Sequence, residues 1–73
     1  MSLVLITRHG CHLCDEALDL LRELGAAPEL SDVDADDEAF ALYDWRVPVV
    51  LLDGKVVAEG KLTREQLAEA LSR

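Results

Sequence analysis

The stretch Leu3-Val4-Leu5-Ile6-Thr7-Arg8-His9-Gly10-Cys11-His12-Leu13-Cys14 decides how this chain folds. Its first part, Leu3–Thr7, is an unbroken apolar run closing on threonine, the pattern of a strand buried on both faces. Arg8-His9-Gly10 then makes a turn, and beyond it Leu13, Ala17, Leu18, Leu20, Leu21 and Leu24 recur at helical spacing as one wide apolar stripe. Asp15 and Glu16 stand in the first turn of that helix, Arg22 and Glu23 near the last, and Gly25 is its stop. The pair Cys11 and Cys14 therefore lies where a buried strand hands over to a helix.

Working outward, Leu30–Asp34 after Pro28 is expected as a short second strand. Asp36 or Asp37 caps a second helix running through Trp45, with Ala39, Phe40, Tyr43 and also Leu42 on its apolar side. Tyr43 and Trp45 are expected to pack that helix and lead into the next strand, Val47–Leu52, which contains Pro48. Asp53-Gly54 is a strong hairpin dipeptide, and Lys55–Glu59 returns antiparallel. Gly60 breaks the strand, and Thr63 with Gln66 forms a capping box for a last helix that buries Leu62, Leu67, Ala70 and Leu71. The order is βαβαββα. Its first half demands a parallel pair with a right-handed crossover, its second an antiparallel hairpin under a covering helix. The expected class is α/β, a four-stranded mixed sheet with helices on both faces, and residues 1–73 form one domain.

Size and charge narrow the function. A chain of 73 residues buries only about 60% of the surface its unfolded state exposes, so loops must be short and nearly every apolar side chain used. Phe40, Tyr43 and Trp45 are the sole aromatics, which leaves the core to Leu, Val, Ile and Ala. Seven basic against fifteen acidic residues give a net charge of −8, the wrong sign for nucleic acid or an anionic membrane surface. The acidic run Asp32–Glu38 reads as a strand end and helix start, where carboxylates favour the helix dipole. The longest apolar stretch, Val47–Leu52, is far short of a bilayer span. The first residues, Met-Ser-Leu-Val-Leu-Ile-Thr, lack a basic leader and a long apolar segment, so a cytoplasmic location is expected. Two cysteines in so aliphatic a chain are expected to serve chemistry rather than to staple a secreted scaffold.

Residues three apart on a helical turn are neighbours, so the sulfurs of Cys11 and Cys14 can reach disulfide geometry with the backbone in place. Cys11 at the helix N-terminus would be stabilised as a thiolate, and Cys14 one turn in would be shielded. One exposed nucleophile and one shielded resolving thiol is what thiol–disulfide exchange requires. Arg8 favours that thiolate if it folds over the sulfur, and otherwise is a solvated turn residue. His12 donates to the thiolate or only tunes the redox potential, while Asp15 and Glu16 oppose the positive field. Two rival readings stand beside this one. His9, Cys11, His12 and Cys14 offer four ligands for a metal or iron–sulfur centre, which would need a partner chain because one short turn rarely wraps a tetrahedral ion. The other is a redox-inert interaction module with a structural disulfide.

The segments Arg8-His9-Gly10-Cys11-His12-Leu13-Cys14-Asp15-Glu16-Ala17, Arg46-Val47-Pro48-Val49 and Asp53-Gly54 with Gly60 together resemble the glutaredoxin family of the thioredoxin superfamily, most closely its short bacterial members. The resemblance covers essentially the whole chain and implies a thioredoxin-like fold of the glutaredoxin type. It further implies that Cys11 is the nucleophile and Cys14 the resolving thiol, that the Val47–Pro48 bond is cis beside them, and that the Val47 backbone pairs with a bound peptide or glutathione. His12-Leu13 stands where the family usually has Pro-Tyr, and Arg46 where it often has Thr. Glu59-Gly60-Lys61-Leu62-Thr63 replaces the family's Gly-Gly-x-Asp grip on glutathione. Glutathione accordingly stands as a candidate reductant rather than as the specific partner. The expected catalytic residues are Cys11 and Cys14, and the expected substrate-binding residues Arg8, His12, Val47, Pro48, Gly60 and Lys61. No metal and no bound cofactor is expected beyond the redox-active disulfide. Protein disulfides or small thiols are the expected partners of a monomer, with Arg8, Arg46, Lys61 and Arg64 as its positive groups.

Overall fold

Adjacent residues on one strand must point to opposite faces, and this places the core on both sides of a single sheet. In the computed structural model, which describes residues 2–72, the elements are β1 (Leu3–Thr7), α1 (His12–Glu23), β2 (Glu29–Asp32), α2 (Asp37–Tyr43), β3 (Val49–Leu52), β4 (Lys55–Glu59) and α3 (Arg64–Leu71). The sheet order is β2-β1-β3-β4, with β1 parallel to β2 and antiparallel to β3, and β3 antiparallel to β4. This is the expected βαβαββα arrangement and a thioredoxin-like fold.

The register aligns Leu5 with Val50 and Ile6 with Val49. Leu5 and Val50 face one way and join Ala17 and Leu21 of α1 and Leu67 of α3 in the larger core. Ile6 and Val49 face the other way and meet Val33 and Ala39, with Tyr43, Val47 and Leu51 packed alongside. Helices α1 and α3 thus cover one face and α2 the other.

Local signals set most boundaries. Asp36 caps α2, its carboxylate accepting from the N–H groups of Glu38 and Ala39 at 2.9 and 3.1 Å. Thr63 and Gln66 form the expected capping box of α3. Asp53 (φ 52°) and Gly54 (φ 83°) both take left-handed conformations, the requirement of the tight hairpin turn that joins β3 to β4. Beyond the turn Val57 is an extra residue, since Leu51 aligns with Val56 and Val50 with Ala58.

The structure differs from the sequence expectation at β2, β3 and α2. β2 ends at Asp32, because Val33, though its N–H still reaches the Thr7 carbonyl at 2.9 Å, turns into the second core. β3 opens at Val49 rather than Val47, since Pro48 has no N–H to donate to a ladder. The largest correction concerns the aromatics. α2 stops at Tyr43, and Trp45, expected to pack, is 94% exposed. A seven-residue helix turns toward the sheet only at Ala39 and Tyr43, four apart. Phe40 lies about 100° round the helix from Ala39 and is 45% exposed, and Leu42 is exposed as well.

Leu21 is fully buried between α1 and the sheet. Leu21→Ala is expected to cost about 3 kcal/mol, a large share of the stability of so small a domain, measured as a fall in the urea midpoint at unchanged slope.

Candidate redox site

The end of β1 delivers the chain into a turn where Gly10 has φ +79°, a left-handed conformation that suits glycine. The Cys11 N–H closes this turn on the Arg8 carbonyl at 3.1 Å. Cys11 then caps α1 with its own sulfur, which accepts from the Cys14 N–H at 3.2 Å. The two cysteines are joined as a disulfide with their Cα atoms 5.2 Å apart. Cys14 is 2% exposed and Cys11 only half-buried. When the bond is reduced, the Cys14 N–H and the helix dipole favour negative charge on the Cys11 sulfur.

The antiparallel register that sets Ile6 against Val49 carries Val47 and Pro48 to the sheet end where β1 enters the cysteine turn. The Val47–Pro48 bond is cis. Pro48 is buried, and its carbonyl accepts from the Gly60 N–H at 2.9 Å, which ties the turn after β4 to the same end. The Val47 side chain joins the second core, whereas its backbone N–H and carbonyl take no hydrogen-bond partner among the described residues. Lys61 borders a cavity of about 250 Å³ between α1 and the segment after Gly60, with Leu13, Glu16 and Asp19 on its walls.

The positive groups are arranged differently from expectation. The Arg8 guanidinium donates from Nε and Nη2 to both carboxylate oxygens of Asp34 at 2.9 Å, from Nη1 to the Asp44 carbonyl at 3.1 Å, and from Nη2 to the Asp44 carboxylate. It also lies 6.0 Å over the Phe40 ring. Its charge is thus taken up by two carboxylates rather than folded over the Cys11 sulfur. The pairing raises the Arg8 pKa further and holds Asp34 below the ordinary carboxylate value, with the Arg8 hydrogen bond as the main cause. Arg46 repeats the pattern, donating from Nε to Glu59 at 3.0 Å and covering the Tyr43 ring at 5.2 Å; Glu59 raises its pKa. His12 is 87% exposed, with Nε2 3.8 Å from a Glu16 oxygen. His9, Cys11, His12 and Cys14 do not assemble as ligands: among the described residues no group of three or more His, Cys, Asp or Glu is placed to hold a metal ion. Sequence reasoning missed Asp34 and Asp44, whose partner lies 26 and 36 positions away. The density of carboxylates in Asp32–Glu38 was the sole trace of the first of them.

The family model described as Glutaredoxin-like domain (DUF836) matches residues 2–72. The chain is similar to the structural-genomics target protein XcR50 from X. campestris, with 29% identity, a TM-score of 0.87, and coverage of 97% of this chain and 96% of that one. It is similar to protein Ne2328 from Nitrosomonas europaea at 30% identity and a TM-score of 0.78, covering 93% of this chain and 87% of that one. It is also similar to the thioredoxin-like protein BC3987 at 31% identity and a TM-score of 0.75, covering 94% and 99%. No curated protein matches the chain. Among the described residues no helix is long and apolar enough to cross a membrane.

The Arg8–Asp34 pair makes stability depend on acid. Because Asp34 titrates lower in the folded than in the unfolded protein, the unfolded chain binds more protons in that window, so stability rises with pH across it. Its contribution is complete above the ordinary Asp value and is lost as pH falls through the lower folded one. Asp34→Asn is expected to unfold more readily at neutral pH, by a margin that shrinks with added salt and closes as pH drops below about 4. Urea titrations of both proteins at several pH values check this.

Proposed function

The chain belongs to the glutaredoxin-like domain family, and from that premise we propose that it is a thiol–disulfide oxidoreductase with Cys11 as nucleophile and Cys14 as resolving thiol. The observation that carries this reading is the asymmetry of the pair. Cys11 is half-open to solvent at the start of α1, while Cys14, one turn further, is shielded at 2% exposure. In the reduced protein the Cys11 thiolate attacks one sulfur of a substrate disulfide, and the other substrate sulfur leaves as a thiolate that takes up a proton. Cys14 then loses its proton and attacks the Cys11 sulfur, restoring the Cys11–Cys14 disulfide and releasing the second substrate thiol. Two electrons pass from the dithiol to the substrate. An external thiol, glutathione among the candidates, reduces the protein again.

The unpartnered N–H and carbonyl of Val47 support docking of an extended substrate strand at this point by backbone hydrogen bonds. Pro48 and Gly60, joined by the 2.9 Å hydrogen bond, would brace that docking strip, and Lys61 and His12 would edge it. Arg8, held by Asp34 and Asp44, would act on the turn through its carbonyl and not through its charge. The reading fits a monomer cycling between dithiol and disulfide in the cytoplasm, acting on protein disulfides or small thiols.

Cys11→Ser is expected to abolish reduction of a protein disulfide, and Cys14→Ser to accumulate a mixed disulfide at Cys11. Quenched reactions resolved by intact mass measure both. Equal residual activity in the two variants would contradict the roles, and an unreactive Cys11 thiol in the reduced protein would favour a structural disulfide instead.

A further inference from the structure

Two cavities flank the cysteine turn, and both combine apolar walls with carboxylates. The first, about 250 Å³, has Leu13, Leu20 and Leu62 as its apolar lining and Glu16 and Asp19 as its acids, against the single cation Lys61. The second, about 470 Å³, reaches Cys14 itself, with Leu18 and Leu30 as apolar lining and Asp15 and Asp32 as acids. Its one arginine, Arg8, is the side chain already bound to Asp34 and Asp44. Arg46, the remaining arginine of the Val47–Pro48 segment, is spent on Glu59. Among the described residues, none of the carboxylates lining the two cavities has an arginine partner, and His12 beside Glu16, His9 in the second lining and Lys61 in the first are the other basic side chains there.

We infer that the substrate disulfide belongs to a cationic polypeptide, with basic and aliphatic side chains flanking its cysteine, rather than to an anionic small thiol. This rests on the oxidoreductase reading above and adds the substrate class. Each aliphatic side chain entering a cavity would bury apolar surface against the leucines, and each basic one would meet a carboxylate at the rim. Glutathione, with two carboxylates and one ammonium at neutral pH, has the wrong net sign for both cavities. Complementary charge of this kind acts mainly on the rate of encounter and weakens with salt.

The test uses the reduced full-length protein and four disulfides: three peptides of equal length and leucine content carrying arginine, glutamine or glutamate beside the cysteine, and glutathione disulfide. Single-turnover rates are divided by the rate of each disulfide with dithiothreitol, which removes differences in intrinsic reactivity. At low salt the arginine peptide is expected to react about tenfold faster than the glutamate peptide and glutathione disulfide, with the gap closing in about 0.5 M salt. Glu16→Gln combined with Asp19→Asn should narrow the preference, and Glu16→Lys combined with Asp19→Lys should reverse it; both positions are on the exposed side of α1. Equal normalised rates, faster reaction of the glutamate peptide or glutathione disulfide, or a preference unchanged in both double variants would overturn the inference while leaving the oxidoreductase reading intact. Failure to reduce any of the four would overturn that reading and the inference together.

Discussion

Leu5 and Ile6 are consecutive residues on β1, one of the two inner strands of the sheet; both are dry, and they face opposite ways. That two-sided burial is the constraint on which the rest of the molecule depends. A strand covered on both faces needs helices above and below, and a short chain can supply them only through tight connections. β1 and β3 satisfy it jointly, because the antiparallel register sets Leu5 beside Val50 and Ile6 beside Val49. Each residue pair then seeds one half of the core: α1 and α3 close over the first, α2 over the second.

The redox site is a by-product of the same requirement. β1 must end where α1 begins, and the connection has room only for a turn closed from the Cys11 N–H to the Arg8 carbonyl. Cys14 points inward with Ala17 and Leu21 as part of the buried stripe, so its shielding comes from core packing. Cys11 stands half-open because it is the cap and not yet part of the helix. β3 runs back alongside β1, which brings Val47 and Pro48 to the same end without any dedicated element. The asymmetry between the two sulfurs thus follows from their positions on one helical turn.

Charge is organised with equal economy. With fifteen acids and seven bases, each arginine near the site has carboxylates within reach. Arg8 joins the end of β1 to Asp34 and Asp44 on either side of α2, and Arg46 joins the Pro48 segment to Glu59 at the end of β4. Such exposed pairs add little stability one at a time. Their larger effect is on the field, since they withdraw positive charge from the surface around Cys11 and leave the carboxylates of α1 to act. The aromatic rings follow the arginines: Phe40 and Tyr43 each lie under a guanidinium, while Trp45, past the end of α2, is left in solvent.

The order of elements, the hairpin at Asp53-Gly54, the capping box at Thr63 and the place of Cys11 and Cys14 at a strand–helix junction were all legible in the amino-acid sequence. Each is dictated by neighbours within a turn or two: apolar periodicity, a left-handed dipeptide, a hydroxyl three residues from an amide. The face that Phe40 and Trp45 present was not legible, because a helix of two turns gives periodicity too few residues to choose among several apolar positions. Nor were the partners of Arg8 and Arg46, since an ion pair forms between groups that only the folded sheet brings together. By itself, then, the sequence determined which residues become strand, helix and cysteine turn. Only the tertiary structure decided which charges remain free around that turn, because the Coulomb interaction depends on distance through space and the chain places Asp34, Asp44 and Glu59 only when the sheet closes.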